Sequence, residues 1–296
     1  MSIMFKDQSG GWRGHVAIAA LVFSIFAVFW FAIAALGSKY GIWSWQFGLS
    51  KMTIGWGQAV VMATLGLSVL ACILALIKAP RKRPFILAFA ALLISALLGG
   101  RMLGLASLGQ SVPPIHDIQT DWSNPVMFSE TLINLRGDGA NPVRETSQAV
   151  FGETSREEWQ SYVGQPIQDI QEAAECPSHD EKLCEDSAEP KPYKIIEPLY
   201  LDQPAASVFE AARRLVQSRG WTIVSADPVE GRLEATQTSP WWGFKDDVAI
   251  RITQEEGRTR VDMRSVSRVG ISDLGANARR ISAFLYDLDA QPYSAP

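Results

Sequence analysis

The chain has 296 residues, a formal net charge of −4 and 47% hydrophobic residues, enough for one ordinary domain plus a second region. The net charge conceals an asymmetry: residues 1–110 hold nine Lys or Arg against the single acid Asp7, whereas residues 111–296 hold eighteen against thirty acids. So acidic a second half argues against nucleic acid as a partner and predicts that the two halves occupy different environments.

The first half contains three apolar runs. Val16 to Leu36 and Trp56 to Ile77 carry no charged residue, and each meets the ~20 residues that a bilayer core requires. Phe85 to Gly100 is shorter. It reaches that length through Met102, Leu103 and Leu105, with Arg101 extending its head to the membrane surface. Three transmembrane helices are therefore expected at about 16–36, 56–77 and 85–105, within an anchor of residues 1–108. Lys78, Arg81, Lys82 and Arg83 crowd the second connection, and basic connections stay in the cytoplasm. The N-terminus is then cytoplasmic, as Lys6 and Arg13 also suggest, and everything after the third span is periplasmic to an inner membrane. The first connection, Gly37 to Gly55, becomes external, with Trp43, Trp45, Phe47 and Trp56 as an interfacial belt. Ala35-Leu36-Gly37 offers a cleavage site for a signal peptide. The run is longer than a signal core and two further spans follow it, so an uncleaved anchor is expected.

Residues 109–192 read as an extended segment with short helices. Pro113, Pro114, Pro125 and Pro142 break any regular pattern up to residue 145. Ser155 and Glu158 suggest a capping box before a short helix to Val163, and Pro166 suggests the first residue of another, to Glu175. Cys176 and Cys184 then flank an acidic loop. In an oxidising compartment they form a plausible disulfide. His179 between them raises zinc as the alternative, but no fourth ligand is near, which favours the disulfide.

From residue 193 to 289 the pattern becomes regular. Ile195–Leu201 predicts a strand, Pro204–Ser218 an amphipathic helix closed by Gly220, and Trp221–Ala226, Arg232–Thr238, Asp247–Thr253 and Arg258–Val266 four more strands. The last helix should begin near Ser272 or Asp273 and bury Leu274, Ala278, Ile281, Leu285 and Leu288. Residues 290–296 read as a disordered tail. The fold class is α+β: three transmembrane helices, then a β-α-β-β-β-β-α antiparallel-sheet domain of helix-grip-like form. Helix-grip modules often hold a ligand between helix and sheet.

Two segments carry a family likeness. Val261 to Leu288, VDMRSVSRVGISDLGANARRISAFLYDL, resembles the closing signature of the bacterial membrane-linked family named domain of unknown function 1499, and Pro113 to Phe128, PPIHDIQTDWSNPVMF, resembles its opening. The resemblance spans about 113 to 288 and is interrupted between about 140 and 192, where the cysteine loop and the acidic stretch depart from the pattern. It implies a bacterial three-span membrane protein carrying this domain, and it implies no chemistry.

The candidate site lies in the closing signature. With a two-residue turn at Glu256-Gly257, Arg251 faces Asp262, Ile250 faces Met263 and Val248 faces Ser265. Val248, Ile250, Ile252, Val261 and Met263 then point to the core, and Asp247, Arg251, Asp262 and Arg264 share the other face, with Arg268 continuing the row. Arg264 and Arg268 near the last helix's N-terminus would make an anion site, with Gly270, Asp273 and Asn277 around it. The plainer explanation is favoured: Asp273 or Ser272 caps the helix, and Asp247 and Asp262 pair with the arginines in a charge lattice on a solvated face. Trp241, Trp242 and Phe244, in a loop between two strands, suit contact with the bilayer or a partner, or else cover an open end of the core. His116-Asp117 with Asp121 raises acid–base or metal work; a structural hydrogen bond is favoured.

The sequence has no Walker loop, dinucleotide fingerprint, HExxH, GxSxG or EF-hand, so no catalytic residue, metal or cofactor is expected. The reading is a non-enzymatic inner-membrane protein whose periplasmic domain binds an envelope partner or ligand, with the lipid bilayer as its surroundings. The alternatives are a small-molecule or lipid-binding module, and an envelope enzyme using His116, Asp117 and the Arg264/Arg268 face.

Overall fold

The structure is a computed structural model, and it describes residues 11–143, 149–176 and 191–293. The chain forms two compact units: one runs to Ser107 and includes Pro240–Gly243, and the other comprises Leu108–Ser239 and the chain from Phe244 onward.

The first unit consists of apolar helices. α1 is Trp12–Lys39, a π-helical stretch Phe47–Trp56 runs straight into α2, Gly57–Ile77, and α3 is Lys82–Ser111. All three are long and apolar enough to cross a membrane, with mean hydropathies of 2.7, 2.7 and 2.1. Their large side chains, such as Phe23, Phe29, Ile73 and Leu97, face outward. Small ones meet inside: Ala17, Ala20, Ala71, Ala88 and Ala91 form the contact cluster. Lipid is as apolar as Leu, so helices in a bilayer associate through close packing of small residues and through polar contacts. One serine from each helix supplies the polar contact: the Ser24 hydroxyl lies 2.9 Å from that of Ser95 and 3.4 Å from that of Ser68. At one end Arg13 donates to the carbonyls of Lys78 and Ala79. That bond ties the start of α1 to the α2–α3 connection. The first connection is shorter than the sequence suggested, because Phe47–Trp56 is helical. Its rings pack together, with Phe47 and Trp56 edge to face at 5.9 Å and Trp56 at 6.2 Å from Trp30.

The second unit is an α+β domain built on a six-stranded antiparallel sheet. Its strands are β1 Asp117–Gln119, β2 Leu199–Leu201, β3 Thr222–Asp227, β4 Arg232–Thr238, β5 Lys245–Glu255 and β6 Arg258–Ser267. The order is β1-β6-β5-β4-β3, and β2 also pairs with β6. β1 takes residues 264–266 of β6 and β2 takes 259–261, so the two short strands share one edge. The β5–β6 register matches the sequence pattern: Arg251 faces Asp262, Ile250 faces Met263 and Val248 faces Ser265. The turn places Glu256 at φ 50° and Gly257 at φ 83°, the two positive angles of a type I′ hairpin.

Alternation along the strands gives the sheet two different faces. One buries Leu233, Val248, Ile250, Ile252, Val261 and Met263. Against it pack α6, Ala205–Ser218, and α7, Ala276–Asp289, together with α5, Ile167–Ala174. The opposite face is covered by the segment after β1, which contains α4, Glu130–Arg136. There Val126, Phe128 and Leu132 pack on Ala249 and Val266 as a small second core.

Several sequence expectations are corrected. β1 lies inside a stretch expected to be irregular, because its partners are 145–149 residues away in β6. The Ser155–Glu158 capping box does not form. The segment is a 3-10 turn, Glu157–Tyr162, and the Thr154 hydroxyl accepts from the Arg156 amide instead. The last helix begins at Ala276, later than expected, because Leu274 (φ 53°) and Gly275 (φ 74°) are left-handed. Cys184, His179 and the last three residues of the expected tail lie outside the described residues.

Candidate functional site

The face expected to be a solvated charge lattice is instead buried beneath the α4 segment, and its aspartates and arginines are paired. Arg264 is fully buried. Its Nε donates to Asp117 Oδ1 at 2.9 Å, its Nη2 to Asp117 Oδ2 at 2.6 Å and its Nη1 to the Val126 carbonyl at 3.1 Å. The two donors and two acceptors form the planar fork-to-fork pair that Arg favours with a carboxylate. Asp247, also fully buried, serves two arginines. It accepts from Arg136 Nη1 at 2.6 Å and from Arg268 Nε and Nη2, each at 2.8 Å, and from the Thr236 hydroxyl at 2.6 Å. Burial pushes the Arg136 guanidinium below its usual range, and Asp247 opposes that shift.

Asp262 completes the row. It accepts from Arg251 Nη2 at 3.0 Å and from Arg260 Nε at 3.0 Å. Arg260 also donates to Asp121 at 2.5 Å. Burial pushes the Asp121 carboxyl up, but bonds from Ser123 and Arg260 outweigh it and hold the group below its ordinary value. Glu234 accepts the Ser129 amide at 2.6 Å and the Ser129 hydroxyl at 2.5 Å. Ser129 in turn caps α4 by accepting from the Leu132 amide at 3.2 Å. A buried charge is costly unless it is paired and hydrogen-bonded; Asp117, Asp247, Asp262 and Asp121 each meet an arginine, and Glu234 is held by the two Ser129 donors.

The five residues of the proposed anion site are divided between the two faces. Arg264 points to the α4 side, and Arg268, just past the strand, turns to Asp247 on that side too. Asp273 and Asn277 lie at the start of α7, against the other face. The Asp273 carboxylate accepts the Gly275 amide at 2.7 Å and the Asn277 amide at 2.6 Å, so it caps the helix. Burial raises its pKa to about 6, against the pull of those two amides. Buried Asn277 accepts from the Ser265 hydroxyl at 2.7 Å and donates to the His116 carbonyl at 2.9 Å and the Ser267 hydroxyl at 3.0 Å. It therefore ties α7 to β6 and to the approach to β1. The Gly270 carbonyl accepts from Asn141 at 2.7 Å.

His116 and Asp117 are adjacent in sequence but turn to different partners. His116 Nδ1 meets the Ile271 carbonyl at 3.0 Å, while Asp117 holds Arg264. Trp241 is exposed, Trp242 and Phe244 are half-buried, and the division of the chain places Trp241 and Trp242 in the first unit and Phe244 in the second. Cys176 is buried. Among the described residues no three His, Cys, Asp or Glu side chains gather as metal ligands.

Sequence reasoning missed Arg136, Asp117 as a partner of Arg264, and the arginines at the other end of the closing signature. Arg219, Trp221, Gln237, Ala276, Arg279 and Arg280 line an open cleft of about 300 Å³ beside the start of α7. A doublet of arginines one turn into a helix was the available signal.

A family model described as a protein of unknown function, DUF1499, matches residues 117–288. No curated protein matches the chain.

Proposed function

The chain belongs to the DUF1499 family of unknown function, and from that premise we propose a membrane-anchored, non-enzymatic binding protein that displays its α+β domain on the periplasmic side of an inner membrane. What carries the reading is a folded domain following three apolar helices in a chain whose charge changes sign between the two. The Arg13 bonds to Lys78 and Ala79 bring the basic ends of α1 and of the α2–α3 connection together. Lys78, Arg81, Lys82 and Arg83 lie at that end, and an excess of positive charge favours the cytoplasm. An odd number of spans then delivers the domain to the opposite side. In that compartment Cys176 and Cys184 would close a disulfide, and Trp241, Trp242 and Phe244 would reach the interfacial layer of the bilayer. Non-enzymatic binding is supported by the commitment of Asp117 to Arg264, which takes it out of any acid–base pair with His116. The conversion of the Arg264/Arg268 row into internal pairs points the same way.

The test is topological and then functional. A reporter active only in the periplasm, fused after Leu288, should be active, and a cytoplasmic one silent; the reverse result overturns both the orientation and the disulfide. Crosslinking in cells followed by mass spectrometry should then recover a recurrent envelope partner through the domain. Recovery of small-molecule turnover by the purified chain would favour the enzymatic alternative instead.

A further inference from the structure

The cleft beside α7 gathers three guanidinium groups and no carboxylate in its lining. Arg219 is held in place from two sides. Its guanidinium lies over Trp221 at 5.5 Å and over Phe284 at 5.2 Å, and those two rings stack at 5.6 Å. Its Nη2 donates to the Ala283 carbonyl at 2.9 Å and to Asp287 at 2.5 Å. Nε and Nη1 of Arg219 make no hydrogen bond among the described residues. Arg280 is largely committed, to Ser265 at 2.8 Å, to Asp246 at 2.5 Å, and to Gln237 and Asn277. It contributes charge more than free donors.

Arg279 is the exposed member. Its Nη2 donates to the Leu274 carbonyl at 3.0 Å. It has no carboxylate partner among the described residues, and its Nε and Nη1 are also without a bond there. Gly275 leaves room for it: a Cβ there would lie 2.9 Å from Arg279 Nη1, so a side chain at that position would shift the guanidinium where it folds back across the helix start. Asp273 turns its carboxylate into the helix, onto the Gly275 and Asn277 amides, rather than toward the arginines. The three cations face Asp246 and Asp287 as direct partners, which leaves one positive charge over in the cleft.

We propose that this cleft is a binding site for a phosphate group, held by the one open edge of Arg279 and by the single donors Nε or Nη1 of Arg219, with Arg280 behind them. Arg binds phosphate bidentately through such an edge. A tetrahedral phosphate can give two oxygens to the Arg279 edge and a further oxygen to an Arg219 donor, whereas a carboxylate has only two oxygens in all. The same chemistry is presented by free phosphate and by a phospholipid headgroup. This site deepens the binding reading above and rests on it, but it does not depend on which side of the membrane the domain occupies.

The experiment titrates the purified full chain in phosphatidylcholine nanodiscs with inorganic phosphate and, separately, with a soluble short-chain phosphatidic acid, by isothermal titration calorimetry. At least one probe should bind at about millimolar Kd or tighter. Binding of both with similar affinity indicates free phosphate chemistry, and binding of the lipid alone indicates a headgroup. Arg279→Gln should weaken binding roughly tenfold or more, and Arg279→Lys should retain part of it, because the charge stays and the fork is lost. Arg279 is exposed and holds one carbonyl, so these variants keep the fold. Arg213→Gln, a change on an exposed α6 arginine paired with Glu210, should bind like the wild type. Failure of both probes to bind overturns the proposal, as does binding that Arg279→Gln leaves unchanged. Either failure leaves the reporter and crosslinking results of the previous section standing, so the two readings fail separately.

Discussion

Asp117 and Arg264 show how much a single pair carries in this domain. Both are buried, and removing one partner leaves the other as an uncompensated buried charge. Asp117→Ala is expected to destabilise the domain by about 3–5 kcal/mol, measured as a fall in the denaturation midpoint of the detergent-solubilised full chain. Replacing both at once, Asp117→Leu with Arg264→Met, should recover most of that loss, because a buried ion pair is often exchangeable for apolar residues of similar volume. Asp273 sets a pH dependence of the opposite kind from an ordinary ion-paired acid. Its folded pKa, about 6, lies above its ordinary value of 3.8. Between those values the folded chain holds a proton that the unfolded chain has released, so stability falls as pH rises through the window. Two units correspond to about 3 kcal/mol. Unfolding midpoints between pH 4 and 7 should show this slope, and Asp273→Asn, which still offers an oxygen to the helix start, should flatten it. An unchanged slope in the variant would assign the pH dependence to other groups.

Among the elements, the start of α7 and the interior of the membrane helices depend on small residues at close quarters. Gly275 sits at φ 74°, and a Cβ there would meet Arg279 at 2.9 Å and Tyr193 at 3.3 Å. Gly275→Ala is therefore expected to cost about 1–3 kcal/mol through backbone strain and to push Arg279 off the helix start, visible as lower thermal stability together with weaker phosphate binding. In the helical unit Ser24 is the hub of the three-serine contact. Ser24→Ala should cost about 0.6 kcal/mol, the average of such contacts in bilayers, read as a small drop in resistance to unfolding in detergent. A loss several times larger would mean that the serines do more than join helices.

On the scale of the molecule, the proposed orientation makes a labelling pattern. A cysteine introduced at Tyr40, in a Cys72→Ser background, should react with a membrane-impermeant maleimide in intact cells, and one at Ala79 should react only after lysis. The opposite pattern would invert the molecule and, with it, the argument for a disulfide at Cys176 and Cys184.

Much of the architecture was legible because it depends on local periodicity. Two uncharged runs of bilayer length, and a third completed past Arg101, gave the three helices, and alternation with Glu256-Gly257 gave the β5–β6 register and its core face. The same alternation already implied that Arg264 faces away from α7, since the helix packs on the Val261 and Met263 side. An anion site joining Arg264 to that helix start was at odds with the period of two. The α4 cover, β1 and the pairing of Asp117 with Arg264 left no local signal, because partners 147 residues apart do not constrain one another's spacing.

The sequence by itself determined which segments are apolar enough to span a bilayer, which faces of the strands are apolar, and where charge accumulates. Those properties are carried by each residue and its near neighbours. Only the tertiary structure decided which charges meet: that Asp247 serves Arg136 and Arg268, that Arg264 is silenced by Asp117, and that Arg219, Arg279 and Arg280 share one open cleft. Electrostatic partnership depends on distance through space, and distance through space is fixed only when the chain has closed upon itself.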